Sequence, residues 1–213
     1  PDLLGLDRLP DTAFTQYGGA AHMAFSLTDK DQVSVRYERG QQDGGKRYDQ
    51  LLGGDGNLRA DLRNLMNDFF YARYFRFGLG PVFDSATFTF SYNAQREERV
   101  NQGGNGKPLS SITSQYEKAK VFGFNFQLAK QVTRDNSLLI GSDVYRETVD
   151  APAYSFSPST GKVSQSRPRV PNGLTYLGYG FFAQDSHDLV PGRVRLSGAI
   201  RYHVASYRAQ SAD

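Results

Sequence analysis

The chain has 213 residues, with 25 Lys and Arg against 22 Asp and Glu, and it contains 13 Tyr, 15 Phe and no Cys. The lack of cysteine excludes zinc ribbons, disulfide scaffolds and thiol nucleophiles. No run of about 20 apolar residues is present, which excludes a helical membrane protein, and the aromatic content excludes disorder. A net charge of +3 does not suggest a nucleic-acid partner. An aromatic, glycine-rich, mostly β chain remains.

Alternation of apolar and polar residues predicts eight strands, and residues 85–95 give the clearest example. There Ala86, Phe88, Phe90, Tyr92 and Ala94 alternate with polar residues without exception, which indicates one apolar and one polar face. No stretch longer than residues 58–66 is typical of a helix. In chain order the predicted strands are 21–27, 33–38, 69–77, 85–100, 121–130, 138–147, 174–185 and 193–204.

The predicted connections alternate between short and long along the whole chain. Residues 29–31, 78–84, 133–136 and 187–192 are short, whereas 40–68, 101–115 and 150–173 are long. In an up-and-down meander this order places every short turn at one end, as in outer-membrane barrels. The strand at 85–100 would span about 50 Å, although a tilted membrane strand needs only about 9–11 residues. Aromatic residues at strand margins are expected in interface girdles: Phe69, Phe70, Tyr71, Phe83, Tyr116, Tyr145 and Tyr207.

One predicted hairpin resembles a known family. Residues 179–185 read Tyr-Gly-Phe-Phe-Ala-Gln-Asp, a turn follows at Val190-Pro191-Gly192, and residues 194–202 form the returning strand. This order resembles a hairpin of TonB-dependent outer-membrane receptors. Residues 90–97 and residues 35–38, which lead into a long loop, are similar to barrel strands of the same family.

The resemblance implies a barrel of about 22 strands plugged by an N-terminal domain. Such receptors bind a ferric siderophore, haem or cobalamin outside the cell and import it with energy that TonB supplies. Residues 1–213 are then expected to be a partial barrel domain of about eight strands, with the plug domain and the C-terminal strands absent. The implied location is the outer membrane of a Gram-negative bacterium. The implied partners are outer-membrane lipid, the TonB complex through the missing plug domain, and a small metal chelate or haem, with no cofactor and no nucleic acid.

Basic residues on the polar faces of the predicted strands are the first candidates for ligand binding. Arg36, Arg195 and Arg201, with Arg73 as a further candidate, would attract an anionic chelate if they face the barrel lumen. The alternative is that these arginines pair with Glu38, Glu97, Asp143 or carboxylates of the plug, and we favour this interpretation.

Histidines are the second group of candidates, because haem receptors of this family use them. His22 and His203 lie on polar faces of predicted strands, whereas His187 is expected in a short turn. The pair Arg167-Pro168 resembles the haem-receptor subgroup. His203 is therefore kept as a ligand candidate, although a solvated histidine is the favoured interpretation, and no metal site is predicted.

The sequence offers little for catalysis. Asp185, Ser186 and His187 are adjacent, but neighbours on a strand point to opposite faces and cannot converge as a triad. Residues 103–108 are glycine-rich but lack the order of a phosphate-binding loop. They are expected to form a flexible loop, as are residues 40–56 and 155–166, and ligand contacts are expected in such loops. We therefore expect no enzyme and no catalytic residue.

Two further hypotheses stay open. A self-contained eight-stranded outer-membrane barrel with a structural or adhesion role requires the first and last strands to pair, since eight strands can close. A soluble β binding module requires the apolar stripes of the strands to pack on one another.

Overall fold

The computed structural model describes residues 13–51, 56–104 and 107–209, which form one antiparallel sheet of ten strands with one short helix. The main path of the sheet runs β1-β2-β3-β4-β5-β6-β9-β10, so that consecutive strands are neighbours. The predicted fold class, an up-and-down β-barrel segment of about eight strands, is confirmed. The elements are β1 (Thr15–Ser26), β2 (Asp31–Lys46), α1 (Tyr48–Leu51), β3 (Arg59–Phe77), β4 (Ser85–Gln102), β5 (Ile112–Thr133), β6 (Asn136–Asp150), β7 (Ala153–Phe156), β8 (Val163–Gln165), β9 (Leu174–Val190) and β10 (Val194–Arg208).

The connections are sorted by length between the two ends of the sheet, as predicted. Short turns join β1 to β2, β3 to β4, β5 to β6 and β9 to β10. At the other end, the connection between β2 and β3 carries α1, and that between β6 and β9 carries the β7–β8 hairpin. We call these the short-turn end and the long-loop end. Within the described ranges, no helix is long and apolar enough to cross a membrane.

The sheet has an apolar face and a polar face, because alternate residues of every strand point the same way. On the apolar face, Phe90 lies opposite Phe124 and Tyr92 opposite Phe122. The ring centroids of these two pairs are 5.2 Å and 4.8 Å apart. The stripes lie side by side on one surface, and Phe124 remains 45% exposed. The soluble-module hypothesis requires these stripes to pack on one another, and in this structure they do not.

The polar face is concave, since two cavities of about 520 and 590 Å³ open on it. The cavity nearer the short-turn end is lined mainly by polar side chains of β2, β3, β4 and β5. The other mixes amide and charged side chains with aliphatic ones. We call it the concave face and the opposite surface the convex face. The well-buried apolar side chains are small, apart from one methionine, and lie mostly toward the long-loop end: Ala60, Met66, Ala94, Val100, Val149, Ala151 and Ala153.

Several sequence-based expectations about segment boundaries were wrong. Residues 59–66 belong to β3 and not to a helix, because they pair with β2 on one side and β4 on the other. For the same reason β2 continues through Gly44 and Gly45 to Lys46, where a loop was expected from residue 40. Of the predicted loop at 103–108, residues 105–106 lie outside the described ranges, as do residues 52–55 of the predicted loop at 40–56.

His187 lies in β9 and not in a turn, because the ladder between β9 and β10 continues to Val190. The turn itself spans residues 190–193, where the N–H of Arg193 donates to the carbonyl of Val190 at 2.9 Å. Gly192 has a φ of +71°, as the third residue of a type II turn requires, and Pro191 precedes it.

The expectation that seven aromatic residues form an interface girdle was wrong for four of them, because their side chains are on the face that would not meet lipid. Phe69, Tyr71, Tyr145 and Tyr207 occupy register positions of the concave face, in rows with Asn93 and Gly123. Phe70 lies on the convex face, opposite Tyr37 and Tyr92.

Candidate ligand-binding face

The central contact of the concave face joins β6 and β10 across β9. Arg201 Nη2 lies 2.7 Å and 2.9 Å from the two carboxylate oxygens of Asp143. Between them lies Gly180, whose added Cβ would stand 2.7 Å from Arg201 Nη2. The absence of a side chain at Gly180 therefore leaves the path along which Arg201 reaches Asp143. Asp143 is only 4% exposed, so Arg201 supplies the positive charge that a buried carboxylate needs.

The other candidate arginines also have partners. Arg36 pairs with Glu38 at 2.8 Å, as the favoured interpretation expected. Arg195 forms a two-pronged pair with Asp188, at 2.6 Å and 2.9 Å, which was not among the expected partners. Arg73 donates to Thr89 Oγ1 at 3.4 Å and lies over the ring of Tyr71 at 5.7 Å. Of these four side chains, only Arg73 has no carboxylate partner among the described residues.

The histidines are not brought together. His22 on β1 and His203 on β10 both lie on the concave face, as expected, but they belong to strands at opposite edges of the sheet. His187 faces the convex side, opposite Leu196 and Asn136. In the part of the chain that the structure describes, no three His, Asp or Glu residues are placed to hold a metal ion.

A cleft of about 520 Å³ opens on the concave face toward the long-loop end. It lies on the long-loop side of both Arg36 and Arg201, which are in different rows of the sheet, and it combines amide, carboxylate and aliphatic groups. Side chains that line it include Gln42, Asn67, Gln95, Glu97, Glu147 and Val149. A second cavity, of about 590 Å³, lies nearer the short-turn end and is lined by Ser34, Arg73, Thr87, Thr89, Asn125 and Gln127, among others.

A segment of the long β6–β9 connection borders the cleft. We call residues 166–173 the strap, because it is anchored at both ends. The N–H of Ser166 donates to the carbonyl of Ala153 at 2.9 Å, and the N–H of Gly173 donates to that of Val149 at 2.9 Å. Asn172 Oδ1 accepts a hydrogen bond from the N–H of Ala151 at 2.7 Å.

Two strap side chains reach the cleft. Val170 lines it, and Arg169 Nη1 lies 3.7 Å from Glu97 Oε1 on β4. Glu97 also contacts Arg99 and lies directly opposite Glu117 of β5. Burial and the positive charge of Arg169 lower the pKa of Arg99. The mouth of the cleft therefore holds a cluster of opposite charges, to which β4, β5 and the strap all contribute side chains.

Sequence reasoning missed the strap and the charge cluster. The cluster joins residues 97, 117 and 169, and only the strand register and the path of the strap bring them together. The one local signal was the proline pair at 168 and 171, which predicts an extended, irregular segment but not its position.

Comparisons with known proteins show a likeness in structure but not in sequence. No protein-family model matches the chain, and no curated protein matches it in sequence. Among solved structures, the chain is similar to the protein named "Copper transporter OprC", with a TM-score of 0.72 at 14% sequence identity. The likeness covers 92% of this chain but only 29% of that one. The chain therefore has the fold of a segment, less than a third in length, of a transporter.

Proposed function

We propose that these residues are part of the barrel domain of a TonB-dependent receptor in the outer membrane of a Gram-negative bacterium. The parent protein would bind a scarce nutrient outside the cell and import it with energy delivered through TonB to a plug domain. The observation that supports this most is the open, single-layer sheet with an apolar convex face, a polar concave face and sorted connections. In such a barrel the convex face meets lipid and the concave face lines the lumen.

The edges of the sheet favour a segment of a larger barrel over a closed one of eight strands. In the described part of the chain, β1 pairs with β2 alone and β10 with β9 alone. Unpaired strand edges carry free N–H and C=O groups, which the hydrocarbon of a membrane does not tolerate. Further strands of the parent chain would satisfy these groups on both sides.

The chemistry of the concave face favours a polar or anionic chelate, such as a ferric siderophore, or haem. Amide groups line both cavities and hydroxyl groups line the second, and the cleft mouth holds Arg99 and Arg169. Candidate contacts for the ligand remain Arg36, Arg195, Arg201 and His203. Each of the three arginines would have to leave its present carboxylate partner to bind the ligand. Copper is the cargo in the name of the similar structure. In this chain Met23 occupies a position of the convex face, whereas Met66, at a convex register position, also borders the cleft.

An uptake assay tests this function. Cells that produce the complete gene product are supplied with radiolabelled ferric siderophores or with haem, and accumulation is compared with a strain that lacks TonB. We expect TonB-dependent accumulation of at least one chelate, reduced by removal of the strap residues Arg169 and Val170. Equal accumulation with and without the gene product for every chelate would contradict the proposal.

The alternative, a self-contained eight-stranded barrel, makes a separate prediction. The 213-residue chain would insert alone, and cysteines introduced in pairs on β1 and β10 would form a disulfide at one register. Because the chain has no cysteine, any cross-link is assigned without ambiguity. We expect no cross-link at any register.

A further inference from the structure

Four basic residues form a continuous patch on the convex face, above the apolar band on its long-loop side. Arg96 on β4, which also borders the cleft, occupies a convex register position directly opposite Lys118 on β5, and Lys120 follows two residues along the same face. Arg146 on β6 lies opposite Phe122, one row nearer the band. We call Arg96, Lys118, Lys120 and Arg146 the convex basic patch.

None of the four has a carboxylate partner within salt-bridge distance among the described residues. The acidic side chains that share this surface are Glu98, which Arg63 engages at 3.8 Å, and Asp150, which lies opposite Lys118 without forming an ion pair. Asp68 is held by Arg39 and Tyr37. The patch therefore keeps a net positive charge.

This arrangement costs stability unless an anion from outside the protein contacts it. Like charges directly opposite on neighbouring strands destabilise a sheet, and Arg96 and Lys118 are such a pair. Elsewhere the same surface provides counter-charges, as for Arg39 with Asp68. The missing counter-charge at the patch thus points to a partner that is present in the working environment of the protein.

The position of the patch identifies that partner. On β4 the apolar run Phe88, Phe90, Tyr92 ends four residues before Arg96, with Ala94 between them on the same face. On β5 the run Phe126, Phe124, Phe122 is followed on the same face by Lys120. In a membrane barrel this boundary is the level of lipid headgroups, where basic side chains attract anionic lipid.

We propose that the convex basic patch binds the phosphate groups of anionic lipids in the leaflet at the long-loop side. The inference rests on the membrane location in the proposed function but not on any transported ligand. Lipid that is held at four cations on three adjacent strands would anchor the tall wall of the barrel at a defined depth.

The test measures lipid binding by the complete gene product, purified and folded in non-ionic detergent. The probes are phosphatidylglycerol, the zwitterionic phosphatidylcholine and inorganic phosphate, and bound lipid is counted by native mass spectrometry. The patch variant carries R96Q, K118Q, K120Q and R146Q. The control carries K107Q, R134Q, K162Q and R193Q, which remove the same charge from exposed loops and turns.

We expect the wild type to prefer phosphatidylglycerol and the patch variant to bind it at least about tenfold more weakly, since each basic group near an anionic surface contributes about fivefold. The control variant is expected to bind like the wild type. Binding by the patch variant within twofold of the wild type would overturn the proposal, as would displacement of the lipid by inorganic phosphate at equal concentration.

Folding and transport are kept separate from this outcome. Resistance to SDS at room temperature shows whether each variant is a folded barrel, and the K118Q/K120Q pair replaces the fourfold variant if that one does not fold. A protein that binds the lipid but imports no chelate would contradict the proposed function and leave the patch intact. A protein that imports a chelate without preferring anionic lipid would contradict the lipid-binding proposal and leave the proposed function intact.

Discussion

The ion pair between Arg201 and Asp143 gives the sharpest prediction about stability, because its two members are buried to different extents. The side chain of Asp143 is 5% exposed, whereas that of Arg201 is 47% exposed. Arg201→Met leaves a buried carboxylate without a counter-charge. Asp143→Asn leaves a guanidinium that water in the lumen solvates.

The two substitutions are therefore expected to cost unequal amounts. Removal of one partner of a fully buried pair costs about 3–5 kcal/mol, and exposed pairs contribute at most about 1 kcal/mol. For this half-exposed arginine we expect Arg201→Met to destabilise by about 2 kcal/mol, and Asp143→Asn by about 1 kcal/mol. The double variant is expected to be less destabilised than the sum, by about 1 kcal/mol.

Urea unfolding of the complete protein in lipid vesicles measures these differences. Far-UV circular dichroism follows the loss of the sheet, and gel mobility without heating follows the folded fraction. Gly180→Val is a matched third variant, because its side chain would displace Arg201 from Asp143 while both charges remain. Equal costs for the two single variants, or additive costs in the double variant, would refute the argument from burial.

Three further predictions concern turns and close approaches. The N–H of Gln131 donates to Asp84 at 2.5 Å and lowers the pKa of Asp84 from its usual 3.8. The stability that this contact gives above pH 3.8 is therefore lost as the pH falls through the lower pKa of the folded protein. Asp84→Asn is expected to remove that acid dependence in unfolding measured between pH 2 and 6. Gly192→Ala is expected to cost about 1 kcal/mol in urea unfolding, because φ is +71° there, whereas Gly198→Ala, at an open position, is expected to be neutral or slightly stabilising. Gly141→Ala is expected to cost about 2 kcal/mol, since its Cβ would stand 2.5 Å from an aromatic ring and 2.6 Å from a backbone carbonyl oxygen.

Each of these predictions has a result that contradicts it. Identical acid unfolding of wild type and Asp84→Asn would show that the hydrogen bond from Gln131 does not stabilise the ionised carboxylate. Equal effects at residues 192 and 198 would show that backbone conformation does not limit the turn. A neutral Gly141→Ala variant would show that the ring of Phe182 moves aside without cost.

In strands with a clean period of two, the face that each residue occupies could be predicted from the sequence, whereas the ends of those strands could not. In β4, Phe88 and Phe90 point one way and Thr87 and Thr89 the other, because side chains alternate on any extended strand. Residues 69–77 were harder, since they are aromatic on both faces. There the pairing of Phe70 with Tyr37 and Tyr92 decides which side faces outward.

Strand ends were decided by neighbours and not by local preference. Gly44 and Gly45 favour a loop in isolation, yet the ladder with β3 reaches Lys46. Each added residue in a ladder satisfies backbone groups on the partner strand as well as its own. His187 is in β9 for the same reason.

The sequence by itself determined the alternation of apolar and polar residues, the sorting of connections by length and the polar character of one face. These properties depend on residues that are close along the chain. The partners within the candidate site were decided by the tertiary structure alone. Arg201 reaches Asp143 over 58 residues of chain, and Arg169 meets Glu97 through the strap. Such contacts depend on the register between strands and on where a connection folds back, and no local pattern of residues encodes either.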